Sequence, residues 1–121
     1  MVLKSYAKIN LTLSVNKKLK TGLHNIQSFY CLVDLCDKIF IKKIKNANSD
    51  EISFNGPFSK NINKSNNSVQ KVLNIMRKNK VILDYYSVKV NKKIPVFAGF
   101  GGGTSNAATL LNHLTKKRLK K

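Results

Sequence analysis

The 121-residue sequence predicts one α+β domain in two layers, with a glycine-rich loop between a strand and a helix. Three observations lead to this prediction. Residues 8–15 alternate between apolar and polar side chains, which is the period of a strand. Residues 69–76 repeat apolar side chains every three or four positions, which is the period of a helix. Four of the six glycines fall within residues 99–103, and strands followed by helices are typical of α+β domains.

Alternating or β-branched runs bounded by polar turns predict the strands. In the first strand Lys8 and Asn10 share the polar face, because side chains two positions apart point the same way. Residues 16–22 predict a basic turn. Ile39, Ile41 and Ile44 are expected to face inward. The predicted strands are residues 8–15, 26–35, 38–45, 52–54 and 86–91.

Two helices are predicted, one before and one after the glycine-rich loop. Residues 59–67 predict a polar loop that leads into the first helix, and this helix can be capped by Ser65, Asn66 or Asn67. Its apolar face comprises Val69, Val72, Leu73 and Met76. The apolar face of the second helix is predicted at Ala107, Ala108, Leu111 and Leu114.

The net charge of +18 comes from 23 Lys and Arg against five Asp and Glu. Such a charge is typical of proteins that bind nucleic acid. The charges are nevertheless spread along the chain and almost all are Lys, so a coding bias toward Lys, Asn and Ile explains them. For the basic residues 116–121 we expect a solvated tail, with non-specific contact to nucleic acid at low salt as the alternative.

No segment is long and apolar enough to span a membrane, and the first residues do not resemble a signal peptide. The sequence therefore predicts a cytoplasmic protein. Cys31 and Cys36 have no further cysteines or a ligand cluster beside them, so we expect buried, reduced thiols.

The run Pro-Val-Phe-Ala-Gly-Phe-Gly-Gly-Gly-Thr-Ser-Asn-Ala-Ala at residues 95–108 predicts an anion site. Glycines let the backbone approach a ligand, and the free N–H groups of a helix start attract phosphate. A Walker loop is excluded because no Lys-Ser/Thr pair follows the glycines. A dinucleotide fingerprint fits poorly, because Thr104 stands at the position of its third glycine. A simple tight turn is the alternative, at a considerable cost in backbone entropy.

This run resembles the glycine-rich phosphate loop of the GHMP kinases, in which Pro-x-x-x-Gly-Leu-Gly precedes small residues. Further matches occur in order along the chain. The resemblance implies the two-layer amino-terminal domain of these kinases, a fold shared with a ribosomal protein domain. The other matching segments are Ala7–Leu11, Gly22–His24 with Gln27 and Ser28, Leu32–Asp37 and Asn66–Val69.

The resemblance implies transfer of the ATP γ-phosphate to an alcohol, assisted by Mg²⁺. It is closest to a member of the family that phosphorylates the 2-hydroxyl of a cytidyl-diphosphate sugar alcohol in non-mevalonate isoprenoid synthesis. Two alternatives stay open: another small-molecule kinase of this family, and a basic nucleic-acid-binding domain of the same fold.

Site residues follow from the resemblance, position by position. Lys8 would stabilise the catalytic carboxylate or the developing charge, and Asn10 would hold the substrate; an ordinary solvated strand face is the alternative. Thr104 and Ser105 would donate hydroxyl hydrogen bonds or bind Mg²⁺, with helix capping as the alternative. The implied ATP-binding residues are Asn67, Lys92, Pro95, Ala98, Gly99, Phe100, Gly101, Gly102, Gly103, Thr104 and Ser105.

The implied cytosine contacts are His24 and, as a supporting aromatic, Tyr30. Leu23 replaces the family's stacking tyrosine, and Phe97 replaces a glycine, where it would crowd the adenine side or fill a gap in the core. Asn67 has helix capping as its alternative role, and Lys92 a place among the solvated lysines.

The resemblance also implies a second half, in which a Gly-Ala-Asp-Val-Pro segment carries the catalytic base, and a carboxyl-terminal domain. Neither is found in these residues. We therefore expect residues 1–121 to be an incomplete amino-terminal ATP-binding domain: a fragment, a truncated reading frame or a decayed copy, inactive alone. We also expect an exposed apolar patch where the last helix lacks a covering domain.

Overall fold

The computed structural model describes the backbone of residues 1–119 and the side chains of residues 1–116. One four-stranded sheet has the order β1-β2-β4-β3; β3 and β4 are parallel and the other pairs antiparallel. Two helices cover one face of the sheet, which confirms the two-layer α+β prediction. The elements are β1 (Val2–Lys18), β2 (His24–Ile44), β3 (Glu51–Asn55), α1 (Ser68–Lys78), β4 (Tyr85–Asn91) and α2 (Gly102–Leu119).

The two strands predicted over residues 26–35 and 38–45 are one continuous strand, β2, so that prediction is wrong. Two acidic residues, Asp34 and Asp37, interrupt the apolar pattern there and imitate a turn. In the structure three residues of β2 oppose Ala7 alone, since the pairing shifts between Tyr6/Cys36 and Lys8/Leu32. A bulge of this kind bends a strand without ending it.

β1 extends to Lys18 and turns tightly at residues 19–22, later than the basic turn predicted from residue 16. Residues 8–18 and 24–32 pair only with each other within the described part of the chain, and we call them the ribbon. The predicted strand face of Ile9, Leu11, Leu13 and Val15 is interrupted by a shift in pairing between Asn10 and Thr12. All four side chains are exposed, as are Ile26, Phe29 and Leu32.

The core lies between the sheet and the helices. From the sheet, Ile39, Ile41, Val88 and Val90 are buried, whereas Ile44 is half-buried. Burial of one such side chain contributes about 1.5–3 kcal/mol. The helices contribute Val69, Leu73, Met76, Leu110 and Leu114 to the same cluster.

Asn67 is the residue that caps α1, because its Oδ1 accepts from the Gln70 N–H at 2.9 Å. In α2 the predicted face is partly wrong: Leu114 is buried as predicted and Ala107 half-buried, but Ala108 and Leu111 are exposed, while Asn106 and Leu110 are buried. α2 begins inside the glycine run and packs against both α1 and β1. These contacts bury the side of the helix that contains Gly102 and Leu114. The exposed apolar patch, which was expected on the last helix, lies mainly on the ribbon instead.

Cys31 is exposed on the ribbon and Cys36 is half-buried, so the prediction that both are buried is wrong. Both are free thiols. Neither of the two helices, within the residues described, is long and apolar enough to cross a membrane. Of the predicted basic tail, Lys116 is exposed, and Lys120 and Lys121 lie outside the described residues.

Candidate functional site

The glycine-rich loop connects β4 to α2 and folds back on itself. Phe97, Gly99 and Gly101 have φ angles of 60°, 77° and 66°, so left-handed residues alternate with ordinary ones. Such alternation turns successive N–H groups toward one side and forms an anion-binding concavity. The Phe97 side chain is 89% exposed and fills no gap in the core.

A cavity of about 450 Å³ opens above this loop. The first turns of both α1 and α2 line it, and a β-carbon placed on Gly103 would lie 3.4 Å from Ser68 Oγ. Two helix amino termini, each equivalent to about half a positive charge, therefore meet at one cavity. Its lining includes Lys71 and Lys92 and no acidic residue of the described chain. The site is built to hold an anion.

Most of the predicted ATP-binding residues line this cavity. Ser105 does not: its hydroxyl donates to the Tyr6 carbonyl at 2.9 Å and accepts from Ser5 Oγ at 2.9 Å, so it ties α2 to β1. Neither Thr104 nor Ser105 caps α2, since the helix begins before them and Gly101 O already accepts from Ser105 N. The lining members are Asn67, Lys92, Pro95, Ala98, Gly99, Phe100, Gly101, Gly102, Gly103 and Thr104.

Residues for Mg²⁺ are scarce at this site. Mg²⁺ in proteins is bound by one or two carboxylates together with substrate phosphates. Within the described residues no group of three or more His, Cys, Asp or Glu could hold a metal, and no carboxylate lines the cavity. Thr104 is exposed at the cavity, whereas the Ser105 hydroxyl is hydrogen-bonded to Tyr6 and Ser5.

Lys92 is not a solvated lysine. Its side chain is 3% exposed and forms an ion pair with Asp37, which is completely buried. Asp37 Oδ1 also accepts from the N–H groups of Lys93 at 2.7 Å and Ile94 at 2.9 Å. The sequence analysis did not identify Asp37 as a site residue; its only signal was an acidic residue among apolar strand positions.

Lys8, Asn10 and Tyr30 lie together beside the loop. The Lys8 N–H donates to Phe100 O at 3.1 Å, and Lys8 Nζ lies 5.7 Å from the centre of the Tyr30 ring. Asn10 pairs with Tyr30 across the ribbon. His24 is exposed at the other end of the ribbon, opposite Lys18. It is six residues from Tyr30, roughly 20 Å along a strand, so the structure does not bring it to Lys8.

The loop before α1 also contributes to the cavity, and sequence reasoning identified only Asn67 there. A polar, asparagine-rich segment before a helix was the available signal. Asn67 Nδ2 donates to Asn63 O at 3.0 Å and to Lys64 O at 3.2 Å, which fixes this loop. The remaining lining residues are Phe54, Asn61, Ile62, Asn63, Asn66, Ser68, Lys71, Val96, Phe97 and Asn106.

The hydrogen bond to Asp84 raises the pKa of Lys43, and burial raises the pKa of Tyr86; both groups lie away from the cavity. At the cavity itself, the two helix amino termini and Lys71 contribute positive charge, and the Lys92 ammonium group is paired with Asp37.

A glycine-rich loop between a strand and a helix amino terminus in a two-layer α+β domain is typical of phosphate-binding proteins. No family model matches the chain. A 4-diphosphocytidyl-2-C-methyl-D-erythritol kinase of Pelagibacter ubique is 47% identical over 118 residues, covering 97% of this chain and 41% of the relative. The kinase of the same name from Finegoldia magna is 36% identical, covering 94% and 40%.

A crystal structure of 4-(cytidine 5'-diphospho)-2C-methyl-D-erythritol kinase superposes with a TM-score of 0.71 at 26% identity, over 96% of this chain and 40% of that one. The chain is therefore similar to these kinases along nearly its whole length. It spans about two-fifths of the length of the relatives it matches, which fits their amino-terminal portion.

Proposed function

We propose that this chain forms the ATP-phosphate site of a GHMP-type kinase that phosphorylates the 2-hydroxyl of 4-diphosphocytidyl-2-C-methyl-D-erythritol. The observation that carries the proposal is one cavity lined by a glycine-rich loop and by two helix amino termini, with no carboxylate from the described residues. The names of the relatives support the substrate.

Phosphoryl transfer requires positioning and stabilisation of charge more than covalent chemistry from the protein. The N–H groups of residues 99–104 would hold the β- and γ-phosphates, and Lys92 would add a positive charge at the first turn of α2. The volume of about 450 Å³ lies in the range of small-molecule sites. The amides of Asn63 and Asn66 would face the adenine end.

The acceptor alcohol would lie on the Lys8 side of the loop. Lys8 is tied to Phe100 through the backbone, and its side chain lies against Gly101, where a β-carbon would be 3.0 Å from Lys8 Cε. Asn10 and Tyr30 would bind the substrate there. The cytidyl end would extend along the ribbon toward His24.

We further propose that residues 1–121 are the amino-terminal part of the kinase, and that the catalytic carboxylate belongs to the remaining part. Mg²⁺ would then enter with the phosphates of ATP. Binding by Thr104 and Ser105 stays a prediction, as does the cytoplasmic location.

Calorimetric titration of the 121-residue chain with ATP and Mg²⁺ at physiological salt tests the proposal. A β-carbon on Gly102 would lie 3.0 Å from Ile94 Cγ2 and 3.2 Å from Lys92 Nζ, so Gly102→Ala should weaken ATP binding at least about tenfold. Gly22→Ala, in the open turn of the ribbon, is the matched control and should bind as the parent does. A folded parent chain that binds no ATP would refute the proposal.

A further inference from the structure

The carboxylate of Asp37 accepts its hydrogen bonds from the segment leading into the glycine-rich loop. Its carboxylate is fully buried, and its donors are the Lys92 ammonium and the N–H groups of Lys93 and Ile94. A buried carboxylate without such donors would be strongly destabilising. Asp37 therefore holds three consecutive residues of the loop entry in one conformation.

These residues form the surface on which α2 begins. A β-carbon on Gly102 would lie 3.2 Å from Lys92 Nζ and 3.3 Å from Ile94 Cβ. Lys92 also lines the cavity although it is almost fully buried. Its ammonium group thus lies between Asp37 and the first turn of α2, at the end where N–H groups are free for an anion.

A lysine side chain has four rotatable bonds and loses rotamer entropy when it is fixed. The ion pair with Asp37 fixes the Lys92 side chain during folding, so the ammonium group is already in position before a ligand arrives. A pre-positioned charge increases affinity because less ordering remains to be done on binding.

We propose that Asp37 is a positioning residue of the phosphate site, which acts on nucleotide phosphate by holding Lys92 against the first turn of α2. This inference rests on the proposed function. It adds a residue that does not line the cavity and contacts it only through Lys92.

The chain provides a matched control in Asp50. Its carboxylate is also buried, pairs with Arg77 through two contacts of 2.9 Å, and accepts from the Tyr86 N–H at 2.9 Å. Asp50 does not line the cavity. Asp50→Asn should therefore lower the free energy of unfolding but leave the affinity for ATP unchanged.

A double-mutant cycle on ATP affinity tests the inference, with Asp37→Asn, Lys92→Met and the double variant measured by calorimetry and chemical unfolding. The amide introduced by Asp37→Asn would keep one oxygen for the two backbone N–H groups but would offer the ammonium group no second oxygen and no negative charge. Each single variant should weaken ATP binding about tenfold, as expected for loss of a charge-assisted hydrogen bond. The double variant should bind ATP no more weakly than Lys92→Met, because Asp37 acts through Lys92 and the double variant leaves no unpaired buried charge.

If Asp37→Asn fails to fold, the ATP affinities of Lys92→Met and of the double variant, in which both charges are removed, still test the inference. Losses that add, or a Lys92→Met chain that binds ATP like the parent, would overturn the inference and leave the proposed function intact. A folded parent chain that binds no ATP would overturn both.

Discussion

The backbone N–H of Lys8 donates to the carbonyl of Phe100 at 3.1 Å, and this bond joins the first strand to the glycine-rich loop. The next residue, Gly101, leaves space that the Lys8 side chain occupies: a β-carbon there would lie 3.0 Å from Lys8 Cε. The lysine expected beside the acceptor alcohol and the loop expected around the phosphates are thus one structural unit.

Gly101→Ala should disturb this unit more than Gly99→Ala does. Both glycines have positive φ angles, 66° and 77°, so alanine at either position is strained by about 1 kcal/mol. Only at position 101 would the new methyl group also displace Lys8, since nothing lies within 4 Å of a β-carbon at position 99. Urea unfolding and ATP titration of both variants measure the difference.

Lys8→Ala in the Gly101→Ala background provides the control for this contact. Removing the long side chain should recover the part of the loss that exceeds that of Gly99→Ala. Equal losses for the two glycine variants would contradict the interpretation.

Asn67→Ala should lower the free energy of unfolding by about 1 kcal/mol, because the Gln70 N–H loses its capping acceptor. Asn67→Asp keeps this acceptor but loses the two donor bonds to the loop at Asn63 and Lys64. The aspartate variant should therefore retain the stability of the helix and bind ATP more weakly. Asn66→Ala, at an exposed neighbour, is the control. Equal losses of stability in Asn66→Ala and Asn67→Ala would contradict the assignment of Asn67 as the capping residue.

Leu73→Ala should destabilise the chain by about 2–5 kcal/mol, because Leu73 is completely buried at the centre of the helix–sheet core. The same change at Leu83, which is 78% exposed, should cost less than about 0.5 kcal/mol. Thermal unfolding followed by circular dichroism compares the two. Similar melting temperatures would mean that α1 does not pack as described.

The 121-residue chain should bind ATP without transferring phosphate to 4-diphosphocytidyl-2-C-methyl-D-erythritol. A positioned general base accelerates such reactions about 10²–10⁴-fold, and none of the five acidic residues lines the cavity. Release of ADP, measured with and without the alcohol, tests this expectation. Alcohol-dependent release of ADP at the rate of a full-length relative would contradict it.

Much of the fold was predictable because its signals are local. The period of residues 69–76 predicted α1, and the alternation before the glycines predicted β4. The continuity of β2 was not predictable, since the bulge opposite Ala7 depends on its pairing with β1. The buried stripe of α2 was predicted only in part because it depends on which neighbours the helix contacts.

The sequence by itself determined where the glycine-rich loop lies, because a glycine run before a helix is a local property of the chain. Only the tertiary structure decided that Asp37, 55 residues before Lys92, holds that lysine at the loop. The same holds for Ser105, whose hydroxyl binds Tyr6 across 99 residues rather than facing the cavity. A buried polar side chain must form a hydrogen bond, and the packing between distant segments decides which partner lies close enough.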